Sequence, residues 1–245
     1  MRFIVSRSIH PGFNLAAEEF LFLRQSEEAL FLYRNEPCVV IGCNQSILAE
    51  ADTTFCASQG IGLYRRLSGG GAVFHDLGNL NFCFITNRIP GQSALGSAFL
   101  EPIIKALHAL DIPVVVGTRK DLWLPEGFKV SGTASHVGKA RELHHGTLLY
   151  DTSLELLQRC LTPNSAGRIK AAVASVPSPV RNIRDFSREK GLEAMDTQAF
   201  VEKFALELMH CLPELVPMEL TDAEADEIGE IADKTYRSTA WTFKK

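Results

Sequence analysis

Three consecutive glycines, Gly69-Gly70-Gly71, follow a pair of arginines in the stretch RRLSGGGAVFHDLGN, residues 65–79. Glycine has no Cβ to shield its backbone, so such a run can present a concave row of N–H groups to phosphate or carboxylate oxygens. A neighbouring guanidinium adds charge-assisted hydrogen bonds. In an extended segment Arg66 and Ser68 share one face, while Leu63, Arg65 and Leu67 share the other. Arg66 is therefore the arginine expected to face a ligand. The same residues would also suit a flexible hairpin carrying two solvated arginines. A second stretch, FKVSGTAS at 128–135, holds Lys129 between apolar and small residues, where a fixed cation could stabilise developing negative charge. A lysine on a strand can equally be a solvated edge charge. In HHGTLLYD, residues 144–151, His145 could orient a ligand or cap a turn.

Several familiar frames fail on spacing. Between Gly132 and Gly138-Lys139 lie five residues, one more than a P-loop allows, and Ala140 stands where that loop needs Ser or Thr. Ser68 lacks the G-x-S-x-G frame of a nucleophile elbow. The six cysteines, Cys38, Cys43, Cys56, Cys83, Cys160 and Cys211, contain no CxxC pair, and HExxH is absent. Zinc and a disulfide framework are thus disfavoured, and most of these thiols read as small buried hydrophobes.

These groups need a scaffold. Asn14 ahead of LAAEEFLFL reads as the cap of an apolar helix, with Glu18 and Glu19 near its positively polarised start. Strands are expected across LFLYRNEPCVVIG with a break at 35–37, then at 61–66, 72–74, 81–86, 113–116, 122–124, 129–131 and 147–150. Helices are expected around 51–58, from near Pro102 through Leu110, and over Phe200, Phe204, Leu208 and Cys211. Thr221 and Glu224 have the spacing of a capping box heading an acidic helix, whose charge reads as a solvated face. Strands that do not alternate regularly with helices predict α+β architecture. The 245 residues are 46% hydrophobic and 22% charged, as in ordinary globular domains. A net charge of −4 offers no global field for a nucleic acid. No apolar run approaches the roughly 18 residues of a membrane span. The N-terminus lacks secretory or transit character, so a cytoplasmic protein with no membrane or nucleic-acid partner is expected.

Taken in order, RRLSGGGAVFHDLGN, RKDL, FKVSGTAS and HHGTLLYD closely resemble the lipoate–protein ligase and lipoyltransferase family. NLAAEEFLF, VVIGCNQ and the closing YRSTAWTF extend the resemblance over most of the chain. It implies an α+β catalytic domain of the biotin/lipoyl ligase type, with a mixed sheet and packed helices over residues 1–245. It further implies activation of lipoate by ATP and Mg²⁺ to lipoyl-adenylate, then acyl transfer to a lysine of a lipoyl domain, with no tightly bound cofactor. Acceptors would be 2-oxoacid dehydrogenase E2 subunits and the glycine cleavage H protein. Carried over by motif, Lys129 is the catalytic residue, touching the lipoate carboxyl and the α-phosphate. Arg66, Ser68, Gly69, Gly70, Gly71, Ala72, Val73, Phe74, Asn79, Asp121, His145 and Thr147 would bind substrate or ATP, and Asp121 would ligate magnesium.

Three departures stand out. Cys43 occupies a position where the family commonly has a basic residue. Pro177 and Pro179 replace arginines of an adenylate-binding loop, as in mitochondrial-type transferases. The chain stops at Lys245, where two-domain ligases continue into a small domain, so a separate small subunit is a candidate partner. From these, transfer from lipoyl-adenylate is expected to outpace use of ATP plus lipoate. Two alternatives are an acyl-carrier-dependent octanoyl or lipoyl transferase working through a cysteine thioester, and a lipoate-binding protein without turnover. Biotin ligation is disfavoured because a GRGRxGR-type loop is missing.

Overall fold

A computed structural model describes residues 1–89, 91, 96–163 and 173–244. Its central sheet has six strands in the order β10-β11-β6-β2-β1-β12. These are β1 (Arg2–Val5), β2 (Ala29–Tyr33), β6 (Asn79–Asn87), β10 (Thr133–Val137), β11 (Arg141–Leu149) and β12 (Val216–Pro217). β1 runs parallel to β2 and β12, and the remaining pairs are antiparallel. A second sheet holds β3 (Cys38–Ile41) between β4 (Gly62–Arg65) and β5 (Val73–His75), and a third holds β7 (Val115–Val116), β8 (Leu122–Trp123) and β9 (Lys129–Ser131). The expected α+β class is what forms.

Alternation along β2 explains the two-sided core. Leu30 and Leu32 join Phe82, Phe84 and Leu148 beneath α4 (Leu100–Ala109) and α7 (Thr197–Cys211). Ala29, Phe31 and Tyr33 face α1 (Pro11–Leu23), α8 (Asp222–Ile231) and the π-helical turn Ala232–Tyr236. A third cluster, including Val39, Ile41 and Phe74, packs α2 (Ile47–Glu50), α3 (Thr53–Ser58) and α5 (Leu154–Cys160) onto the smaller sheet. One further helix, α6 (Ile183–Glu189), and the last turn α9 (Thr239–Thr242) complete the described elements.

Several local expectations change. Asn14 is not a cap: α1 begins at Pro11, whose fixed φ and missing N–H suit a first helical position, and His10 accepts from the Phe13 amide. Glu18 and Glu19 therefore sit beyond the first turn. The strand expected at 147–150 is the end of the nine-residue β11, and β10, too polar to be read as a strand, is set by pairing with it. α4 starts two residues before Pro102, which is tolerated because first-turn N–H groups lack intrahelical partners anyway. The capping box at Thr221 and Glu224 is present. Among the described residues no helix is long and apolar enough to cross a membrane.

Candidate functional site

The glycine loop connects β4 to β5, and two features fix its shape. Gly70 has φ +86°, a left-handed conformation that a side chain would strain. Gly42 lies so close that a Cβ there would come within 2.3 Å of the Gly70 carbonyl oxygen. Arg66 is buried behind the loop. Its Nε donates to Ser68 Oγ at 2.9 Å, Nη1 to the Val40 carbonyl at 3.2 Å, and Nη2 to the carbonyls of Gly69 and Gly71. Burial lowers its pKa to about 10. Arg65, on the opposite face, donates to carbonyls of Gly42, Cys43 and Gln45 and of Trp241, Thr242 and Lys244. Arg65 and Arg66 diverge as alternation expects, but Leu63 and Leu67 do not share a face, since Leu63 packs into the third core cluster and Leu67 into the second; neither arginine is a solvated hairpin charge.

Beside the loop lies a cavity of about 330 Å³. Of the residues expected at the site, Arg66, Gly70, Gly71, Ala72, Val73, Asp121, Lys129, His145 and Thr147 line it. Ser68, Gly69, Phe74 and Asn79 do not. Phe74 points the other way along β5, into the third core cluster, because Val73 and His75 take the cavity face. Asn79 stands one step too far along β6, where its Nδ2 donates to Asn81 Oδ1, and Asn81 is the residue on the wall.

In the cavity lining, Lys129 Nζ lies 3.5 Å from Asp121 Oδ2, and the Arg119 guanidinium approaches the same oxygen at 3.6 Å. Burial pulls the Lys129 pKa below its ordinary value, and Asp121 opposes that pull. Burial pushes Asp121 upward, but the Trp123 hydrogen bond and the two cations outweigh it, so its carboxyl lies below the usual value. Backbone bonds hold Lys129 in place: its N–H donates to the Pro179 carbonyl at 2.8 Å, and its own carbonyl accepts from Arg181 at 3.2 Å. Gly132 and Thr147 lock β9 onto β11 by a reciprocal pair, Thr147 N–H to Gly132 carbonyl and Gly132 N–H to Thr147 Oγ1.

The preceding residues 173–176 form part of the cavity wall. Ser175 Oγ accepts from the Ala72 N–H at 2.8 Å and from Gln45 Nε2 at 3.2 Å, and donates to the buried Glu50 carboxylate. Nothing in the sequence signalled Ser175 or Glu50, because their pairing spans 125 positions.

The inner wall is apolar apart from a few tightly bonded groups, and includes Leu15, Tyr33, Val40 and Val73. Behind it, the Glu18 carboxylate accepts from Tyr33 Oη at 3.0 Å and from His145 Nδ1 at 2.8 Å. That leaves His145 Nε2 to accept from the Ser68 hydroxyl at 2.6 Å. The connectivity matches a Ser-His-acid triad. Yet Ser68 is fully buried, does not reach the cavity, and already accepts from Arg66. The array holds the glycine loop rather than supplying a nucleophile. Cys83 lies close enough to Glu18 and His145 to form the one three-residue group of metal-ligand type among the described residues. Both His145 nitrogens are engaged, and burial pushes the Cys83 thiol well up, so neither a metal nor a thiolate is favoured.

His75 also lines the cavity and was missed from sequence, although two-residue alternation from Val73 marks it. Burial and the nearby Arg66 and His145 lower its pKa to about 3, against an ordinary 6.5. The unfolded chain therefore binds a proton between those values that the folded chain refuses, so stability falls as pH drops through that window. About 2 kcal/mol should be lost between pH 7 and pH 5 on this account. Denaturant titrations at the two pH values should show a correspondingly smaller loss in His75→Gln; equal losses would refute the burial argument.

Comparison with known proteins gives the family. Residues 10–209 match the family model described as lipoyl protein ligase A/B catalytic domain. Lipoate–protein ligase 1 of Staphylococcus aureus is 34% identical over 99% of this chain and 73% of its own length. Lipoate-protein ligase LplJ of Bacillus subtilis is 33% identical with the same coverage. Among solved structures, a bipartite lipoate protein ligase of the archaeal lipoylation system of Thermoplasma acidophilum superposes with a TM-score of 0.83 at 26% identity, covering 99% of this chain and 95% of that one. With the family model matched over residues 10–209 and two relatives about one-third identical over nearly the whole chain, the conclusion is plain: the chain belongs to the lipoyl protein ligase A/B catalytic-domain family.

Proposed function

We propose that this chain joins lipoate to a lysine side chain of a lipoyl-domain protein by way of lipoyl-adenylate, and that residues 1–245 act as one catalytic domain. The observation that carries the reading is one cavity lined at once by Lys129, by Gly70 and Gly71 of the glycine loop, and by the apolar Leu15, Val40 and Val73. A carboxylate with a hydrocarbon tail fits that polarity.

In the first step a lipoate carboxylate oxygen bonds to the α-phosphorus of ATP, the bond from phosphorus to the bridging oxygen breaks, and pyrophosphate leaves. Two anions must approach, and a fixed cation lowers their repulsion in the transition state. In the second step the acceptor lysine's neutral amine attacks the acyl carbon. The C–O bond to AMP breaks, AMP departs with the electron pair, and the amine proton passes to solvent. Lys129 serves both steps, since the same carboxyl oxygens carry the charge. Arg66 acts through the loop that it organises. Asp121 positions Lys129: two cations already share its Oδ2, which suits magnesium poorly. E2 subunits and the glycine cleavage H protein are the acceptors favoured by the reading. The archaeal relative, described together with an E2 lipoyl domain, supports that class.

Mass measurement of an apo lipoyl domain incubated with the chain tests this, with ATP, magnesium salt and lipoate in one arm and synthetic lipoyl-adenylate in the other. Gain of one lipoyl group in either arm is expected. An unmodified acceptor in both would overturn the reading.

The loop gives a further expectation. A Cβ on Gly71 would lie 3.0 Å from Ser175 Oγ and 3.4 Å from its Cα, so the 173–176 wall must shift to admit it. Gly71→Val should weaken lipoyl-adenylate binding by about tenfold or more while the melting temperature changes little. Calorimetry showing undiminished affinity would contradict a close backbone approach.

A further inference from the structure

Two residues lining the cavity carry a buried side-chain atom without a hydrogen-bond partner, and they differ in kind. Asp121 Oδ2 belongs with the cations that surround it. His75 Nε2 is buried and unpaired in a wall where the polar groups of Tyr33 and His145 are already bonded.

The proton on that nitrogen is fixed by a chain of amides. Asn14 Nδ2 donates to the carbonyls of Ser8 and Arg34, which identifies it as the amide nitrogen, and also to Asn35 Oδ1 at 2.9 Å. Asn35 must then offer its Nδ2 to His75 Nδ1, 3.0 Å away. A ring nitrogen that accepts is unprotonated, so in the neutral imidazole the hydrogen sits on Nε2. The cavity wall thus carries an N–H donor with no partner.

Its position along the wall is also set. The glycine loop ends at Ala72, Val73 opens β5, and His75 lies two residues further, about 7 Å along the strand. His75 pairs with Cys38 on the side of β3 remote from the loop, while Val73 pairs with Val40. His75 is thus the cavity-lining residue of β5 farther from the glycine loop, and a tail that follows β5 from a carboxyl at the loop meets it.

We propose that His75 Nε2–H is a specificity contact for the far end of the acyl chain, favouring a tail that carries a hydrogen-bond acceptor, such as dithiolane sulfur, over a plain hydrocarbon tail. This rests on the functional reading above. A hydrocarbon leaves the donor desolvated and unpaired, whereas sulfur, though a weak acceptor, satisfies it in part. Sites built around a polar contact discriminate against analogues that lack it.

The test is the ratio of kcat/KM for lipoate to that for octanoate, measured by acceptor mass, in the wild type and in two donor-free variants, His75→Leu and His75→Phe, which change the shape in different ways. The ratio should fall about tenfold in whichever donor-free variant folds, chiefly through the KM for lipoate, with octanoate used as well or better. His75→Gln, which restores an N–H, should recover part of the preference. An unchanged ratio in a folded donor-free variant overturns the inference and leaves the functional reading standing. A wild-type chain that transfers neither acid overturns the functional reading, and the specificity contact with it.

Discussion

Lys129→Ala should lower the turnover of lipoyl transfer by at least about a hundredfold, because removing a fixed electrostatic partner of the transition state typically costs two to three orders of magnitude. The decrease should appear in kcat with both ATP plus lipoate and preformed lipoyl-adenylate, since the acyl oxygens carry charge in each step. Stability should hardly change. Lys129 is half-buried and its ammonium contacts Asp121 without a close hydrogen bond, so the main cost to the fold is the lost pairing of a carboxylate that still has Arg119 nearby. Single-turnover transfer assays beside thermal melts separate the two effects. Near wild-type transfer by a folded Lys129→Ala protein would remove this residue from the reaction.

Arg66→Ala should injure both the fold and the activity, and by more than its exposure suggests. Four oxygens depend on its guanidinium: Ser68 Oγ and the carbonyls of Val40, Gly69 and Gly71. Each buried acceptor left without a donor costs about 1–3 kcal/mol, partly relieved where water enters. A loss of about 3–5 kcal/mol is expected, with a fall in melting temperature of about 10 °C at this chain length. Arg66→Lys should recover little, because one ammonium cannot reproduce a planar fork serving four acceptors. Melting curves of both variants check this. Loss of adenylate affinity with no loss of stability would mean that the arginine contacts ligand directly rather than shaping the loop.

The contrast between Arg66 and Ser68 shows how far sequence reasoning reaches into this site. Alternation placed both on one face, and both are there. What alternation could not say is that Arg66 would use its donors on the loop itself, or that Ser68 would be enclosed between Arg66 and His145. Those facts come from β11 and α1, whose approach depends on pairing across 77 and 127 positions. Strands with apolar alternation, such as β2 and β6, were legible because local pattern and tertiary burial agree. β10 was not, since its polar residues acquire strand geometry only from β11. His75 lay outside the residues carried over from the family motif, which ended at Phe74 in this run, while the period of two favours Val73 and His75. Glu18 looked like a residue of a helix start only because the helix was expected to begin at Asn14.

Arg65 ties the strand leading into the glycine loop to the far end of the chain, with bonds reaching carbonyls 176 to 179 positions away and Trp241 Nε1 donating back to the Arg65 carbonyl. On a ribosome adding about 5–20 residues per second, the segment that satisfies this guanidinium emerges on the order of ten seconds or more after Arg65 itself. For that interval β4 has a cation destined for the interior and no carbonyls from the C-terminal segment to receive it. The strand leading into the loop is thus secured only after residues 241–244 have emerged, well after the loop itself has been made.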